Sequence, residues 1–139
     1  MRRLHQIHVS LFFERCGAFR VTPLQYSLLS LLAERGEADQ TTLANSVALD
    51  RTTTTGALKR LEMRGFIERS LSPSDRRAQC CRPTRAGRDL LERMEEAARA
   101  AHDATLEPLA GDERETLIRL MKKITLAHQQ RQRSDGVVI

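Results

Sequence analysis

The chain has 139 residues, with 23 Lys or Arg against 18 Asp or Glu and a formal charge of +5, which is one domain's worth of sequence and short for an enzyme with an elaborate active site. A basic balance suits an anionic partner such as nucleic acid without requiring one, and the longest apolar stretches fall far below the roughly 18 residues that a membrane span needs. The opening Met1-Arg2-Arg3-Leu4-His5-Gln6 carries two positive charges but runs into polar interruptions with no small-residue cleavage site, so a cytoplasmic location is expected.

Leu4, Ile7 and Leu11 recur at helical spacing, while Val9, Phe12 and Phe13 add apolar surface on other sides. A first helix buried on more than one face implies a second chain packed against it. Gly17 breaks it. Thr22 is placed to cap the next helix, with Pro23 at its first position and Gly36 as its stop. Thr41 to Val47 and the segment from Arg51 onward form two short helical patterns joined by Ala48-Leu49-Asp50, with Asp50 as the second cap. That is helix-turn-helix spacing, and Gly65 closes the second helix. Phe66 to Leu71 alternates like a strand, Ser72-Pro73-Ser74-Asp75 has turn chemistry, and Ala78 to Arg82 can return as its partner. Thr84 opens a long helix to about Leu106 with Leu90, Leu91, Met94, Ala97, Ala98 and Ala101 on its apolar side. Pro108 and Gly111 interrupt, and a last helix from about Asp112 to Gln132 is expected to turn Leu117, Leu120, Met121, Ile124 and Ala127 inward.

These elements describe a mainly α chain with a small β-hairpin wing. It is expected to be a single unit over 1–139, with a winged helix-turn-helix at 22–88 and dimerisation helices at 1–20 and 89–132. The charge is concentrated in the first part: Arg51 to Arg88 holds ten Lys or Arg against Glu62, Glu68 and Asp75, so the rest of the chain sums to −2. Thr54, Ala57, Leu58 and Leu61 share one face of the helix at Arg51; Thr52, Thr55, Gly56 and Lys59 share the opposite one, with Thr53 and Arg60 at its edges. Thr52, Thr53 and Thr55 hydroxyls can bond phosphates or base edges, Gly56 admits close backbone approach, and Arg51 can make a bidentate guanine contact. On the hairpin, Asp75 can orient Arg77 toward a narrow minor groove and Arg76 can meet phosphate.

The segment Thr22-Pro23-Leu24-Gln25-Tyr26, then LDRTTTTGALKRLEMRGFIER, SPSDRRAQCCRPTRAGR and LAGDERETLIRLMKKI, resembles the MarR (multiple antibiotic resistance) family of regulators. The resemblance implies an obligate homodimer whose first, fifth and sixth helices interlock over a pseudo-palindromic operator in double-stranded DNA. It makes the helix at Arg51 the recognition helix and sends Arg77 into the minor groove under the guidance of Asp75. Three places depart from the family pattern: Pro83-Thr84, where Pro83 is expected to limit pairing of the second wing strand, Cys80-Cys81, and Ala110-Gly111.

Some members of that family respond to aromatic acids or to their coenzyme A thioesters, and the Arg3 to His8 start with Phe12 and Phe13 resembles those members. The implied effector is a small anionic aromatic compound, held by His5, His8 and Ser10 with Phe12 and Tyr26 stacking on its ring. A repressor released by such a compound is the preferred reading. The three cysteines read first as reduced structural thiols, Cys16 among them; the alternative within the same fold is a thiol-based redox regulator using Cys16, with Arg15 and Arg20 lowering its pKa, or Cys80 and Cys81 on an exposed hairpin. A protein-interaction module and a small-molecule enzyme rank below it, since no nucleophile-base-acid spacing, metal motif or phosphate loop can be read and no cofactor is expected.

Overall fold

The computed structural model of the chain describes residues 1–47, 50–71 and 79–137; the expected turn at Ala48-Leu49 and the hairpin residues Asp75, Arg76 and Arg77 lie outside them. Among the described residues there are six α-helices and three short strands: α1 Arg2–Cys16, α2 Pro23–Arg35, β1 Ala38–Asp39, α3 Gln40–Ser46, α4 Arg51–Met63, β2 Ile67–Leu71, β3 Gln79–Pro83, α5 Arg85–Leu106 and α6 Gly111–Val137. None of these helices is long and apolar enough to cross a membrane.

Local chemistry sets most of the helix starts. The Thr22 hydroxyl accepts the Gln25 backbone N–H at 3.1 Å while the Gln25 side chain accepts the Thr22 N–H at 3.2 Å, a reciprocal capping box with Pro23 just inside it. Asp39 caps α3 through the Thr42 N–H at 2.6 Å, Asp50 caps α4 through the Thr53 N–H at 2.7 Å, and Thr84 caps α5 through the Gly87 N–H at 3.1 Å. Loss of one such cap costs about 1 kcal/mol. At Ala110-Gly111 the Glu113 carboxylate takes the Ala110 N–H at 2.9 Å and so begins α6 without the Ser-Pro start. Gly36 and Gly65 end α2 and the α4 turn at φ of 83° and 79°, a region where side chains are strained.

The sheet is antiparallel in the order β1-β3-β2, with Ala38 opposite Cys81 and Arg69 opposite Cys81 from the other side. The strand β1 was not expected: two residues carry no readable alternation, and pairing with β3 alone defines it. The second wing strand also differs from expectation. Pro83 lies opposite Ile67 as the last residue of β3, where its missing N–H interrupts no ladder, and the next residue, Thr84, donates its N–H to the Phe66 carbonyl at 3.0 Å.

Leu28, Leu29 and Leu32 of α2, Leu43 of α3, Leu58 and Leu61 of α4, Ile67, Cys81 and Met94 form a continuous buried core, each large aliphatic side chain contributing roughly 1.5–3 kcal/mol. Phe12 and Cys16 anchor α1 to it. Gly87 lets α5 pass the base of the wing, since a Cβ there would overlap the Phe66 carbonyl oxygen.

The expected inward face of α6 is not inward. Leu120, Met121 and Ile124 are 43%, 51% and 53% exposed and Ala127 is exposed, because this face of α6 lies outside this chain's core; Leu117 alone of the five is half-buried. Near its far end the Gln129 amide donates to the Ser46 carbonyl at 3.2 Å. On α1, Leu4, Ile7 and Phe13 are likewise about half exposed.

Candidate nucleic-acid interface and effector clefts

Helix α4 turns Thr54, Ala57, Leu58 and Leu61 into the core, which leaves Arg51, Thr52, Thr53, Lys59 and Arg60 exposed and Thr55 and Gly56 half-buried. The expected packed face therefore appears residue for residue, while the open face is exposed at Thr52 and Lys59 and partly covered at Thr55 and Gly56. Its threonines have different hydrogen-bonding states. Thr54 donates its hydroxyl to the Asp50 carbonyl at 3.0 Å, and Thr53 donates to Asp50 Oδ2 at 2.8 Å. Those bonds from Thr53 hold the Asp50 carboxyl below its ordinary pKa, so it stays ionised. Thr52 and Thr55 make no side-chain hydrogen bond among the described residues.

Arg51 does not swing freely over this face. Its Nη2 donates to Thr41 Oγ1 at 3.2 Å, joining the start of α4 to the start of α3. At the other end of α4, Arg64 donates through Nη1 to the Arg20 carbonyl and through Nη2 to the Phe19 carbonyl, and its guanidinium lies 4.9 Å over the Phe66 ring. Glu62 pairs with Arg69 of β2 at 2.9 Å, which pushes the glutamate pKa down. The helix is thus held to α3, to the α1–α2 connection and to the wing. The sequence alone did not point to Thr41, Arg64 or the Glu62–Arg69 pair; only the last had a signal, an acid and a base on either side of the expected helix stop at Gly65.

The proposed effector residues are not brought together. His5 and His8 line a cleft of about 500 Å³ with Leu24, Ser27, Leu31 and Val47. Tyr26 belongs to a different cleft of about 440 Å³ between α2 and α5, shared with Ser30, Arg88 and Leu91. Phe12 is 3% exposed, its ring 5.7 Å from that of Tyr26, so it is core rather than a stacking surface. Ser10 is exposed and lines neither cleft. The physical reason is that the α1 stripe running from His5 to Phe12 opens only at its histidine end and meets the core at Phe12.

The thiols fit the structural role expected of them first and lack what the redox alternative needs. Cys16 is fully buried and burial raises its pKa, against the lowering expected from Arg15 and Arg20. Cys81 faces the core, and burial pushes its thiol up to about 11; Cys80 is half-buried on the other face of β3, 3.8 Å from Glu37 Oε2. Neighbours in a strand point to opposite faces, so these two thiols do not form an exposed pair. A buried protonated thiol is a poor nucleophile.

A family model described as the MarR family matches residues 21–78. The HTH-type transcriptional repressor NicR of Pseudomonas putida is 28% identical over 124 residues, covering 89% of this chain and 78% of NicR. The solved structure of the transcriptional repressor CouR bound to a 23-mer DNA duplex is similar at a TM-score of 0.80 and 31% identity, covering 88% of this chain and 87% of CouR. That of Bordetella bronchiseptica BpsR, whose DNA binding is regulated by 6-hydroxynicotinic acid, is similar at a TM-score of 0.83 and 29% identity, with 89% of each chain covered.

Proposed function

The chain belongs to the MarR family of transcription regulators, and from that premise we propose that it reads specific double-stranded DNA as a homodimer on a pseudo-palindromic operator and represses until a small aromatic acid or its thioester releases it. The observation that carries this reading is the open face of α4, where Arg51, Thr52, Thr53, Thr55, Gly56, Lys59 and Arg60 lie together above a packed core. A major groove admits one helix, and these side chains match phosphate and base edges. Arg76 and Arg77, with Asp75 beside them in sequence, are assigned to phosphate and minor groove. The likeness to CouR, solved on a duplex, supports the same use of the fold.

Residues 1–20 and 89–132 are assigned to dimerisation on the strength of the exposed apolar side chains of α1 and α6. The effector is assigned to the His5–His8 cleft, with BpsR supplying the chemical class and 6-hydroxynicotinic acid the first compound to test. Binding to duplex DNA from upstream of the protein's own coding region, followed by fluorescence anisotropy at low salt, tests the core of the reading. Tight binding that Arg51→Ala and Arg77→Ala each weaken is expected. No binding by the native chain, or indifference to both substitutions, overturns it.

A further inference from the structure

We propose that Asp50 and Thr53 act together as an acceptor-only reading element, one that takes a hydrogen bond from the exocyclic amine of cytosine or adenine in the major groove and turns away phosphate. The inference rests on the DNA-reading role of α4 given above and assigns a specificity to one end of that helix.

The donor and acceptor roles follow from the geometry. Asp50 Oδ1 accepts the Thr53 backbone N–H at 2.7 Å, and Asp50 Oδ2 lies 2.8 Å from Thr53 Oγ1. An ionised carboxylate has no hydrogen to give, so the hydrogen between Oδ2 and Oγ1 belongs to threonine. Thr53 is left with lone pairs only, and the exposed carboxylate can still only accept. Both residues are exposed, so Asp50 and Thr53 present three oxygens and no side-chain donor of their own, beside the donors of Arg51 and Thr52.

Phosphate cannot bond to the Asp50–Thr53 pair itself, because its oxygens only accept and its charge repels Asp50; a phosphate nearby would be held by Arg51. The positive end of the helix, which would otherwise attract phosphate, is already met by the Asp50 carboxylate. Of the groups on base edges in the major groove, cytosine N4 and adenine N6 donate, whereas guanine O6, guanine N7 and thymine O4 accept. Thr52 and Thr55, with hydroxyls uncommitted among the described residues, remain able to donate to phosphate or to keto oxygens. The four threonines thus divide into a core group at Thr54, two ambivalent hydroxyls and one acceptor.

A cap without a reading role would hold the same bonds, so the test must follow base preference as well as affinity. Full-length native protein, Asp50→Asn and Thr53→Val are each used to select duplexes from a random pool, with thermal melts to check folding. Asparagine caps helices about as well as aspartate, but it places an N–H donor where a carboxylate oxygen was. The native protein is expected to enrich cytosine or adenine at one position of each half-site, by roughly fivefold to a hundredfold over guanine or thymine. Asp50→Asn should move that preference toward guanine or thymine, and Thr53→Val should flatten it. The proposal is overturned if all three proteins enrich the same base, or if Thr53→Val weakens every duplex equally and lessens the salt dependence, the behaviour of a phosphate contact. If the native protein enriches no sequence at all, the DNA-reading role of α4 fails, and the reading element with it.

Discussion

His8 on α1 and Thr105 on α5 share a hydrogen bond of 3.0 Å whose direction is set by a second one, because the Thr105 hydroxyl already donates to the Ala101 carbonyl at 2.9 Å. Nδ1 of His8 must therefore carry the hydrogen, and in the neutral ring Nε2 is an acceptor. A histidine in that state receives a hydrogen bond from a phenolic or carboxylic O–H; it pairs with a carboxylate only after taking up a proton. Burial, with His102 and His5 nearby, holds the His8 pKa below its ordinary 6.5 and works against that uptake.

Stability should therefore depend on pH through His8. Above 6.5 the ring is neutral folded or unfolded and contributes no pH dependence; as pH falls through 6.5 the unfolded chain binds the proton first, so stability declines until the folded ring also titrates. Thermal melts at pH values on both sides of 6.5 should show this fall. The substitution His8→Asn, whose amide can donate to Thr105 without titrating, should lessen it, and identical pH profiles for the two proteins would count against the assignment.

Lys59 lies exposed on the open face of α4. As a phosphate contact it should act without regard to sequence. Lys59→Ala is expected to weaken binding to all duplexes by a similar factor and to reduce the slope of log affinity against log salt by about 0.9 for each Lys59 lost. Titrations at several salt concentrations on a selected duplex and on an unrelated one measure both effects. A loss confined to one sequence would instead make Lys59 a base contact.

The caps at Thr22, Asp50 and Thr84 were readable in advance because each bonds to a backbone N–H three residues on. The packed face of α4 was readable for the same reason, since its period is a property of one helix. Arg64 was not: the carbonyls it binds belong to Phe19 and Arg20, some 45 residues earlier. Nor was the separation of Tyr26 from His8, because neighbouring turns of two helices can open into different clefts. Leu120, Met121 and Ile124 show a further limit, in that helical periodicity marks an apolar face without saying which chain covers it.

Gly87 offers a test of the wing's attachment. Thr84 bonds to the Gly65 carbonyl at 2.6 Å and to the Gly87 N–H at 3.1 Å, and the Phe66 carbonyl oxygen occupies the space a Gly87 Cβ would need. Gly87→Ala gains helix propensity of roughly 1 kcal/mol, but overpacking of this kind typically costs about 1–3 kcal/mol and shifts backbone. The contact is with main chain, which cannot rotate away, so the loss should win. Denaturant unfolding should show a net destabilisation; a stabilised Gly87→Ala protein would mean that α5 and the wing base are free to separate.

Ile124 tests whether the apolar face of α6 is the dimer seam, and it does so independently of any ligand. Side chains left about half exposed in one chain gain most from a partner that covers them, and full burial of an isoleucine is worth roughly 1.5–3 kcal/mol. A carboxylate in its place would have to be desolvated without a counter-charge, so Ile124→Glu reverses the sign of its contribution to association. The intrachain core does not include Ile124, which predicts that secondary structure survives while sedimentation reports half the native mass. Two half-sites bound by one rigid dimer are gripped far more tightly than either alone. The Ile124→Glu protein should therefore bind a two-half-site duplex no better than a single half-site. Retention of the native mass would place the seam elsewhere.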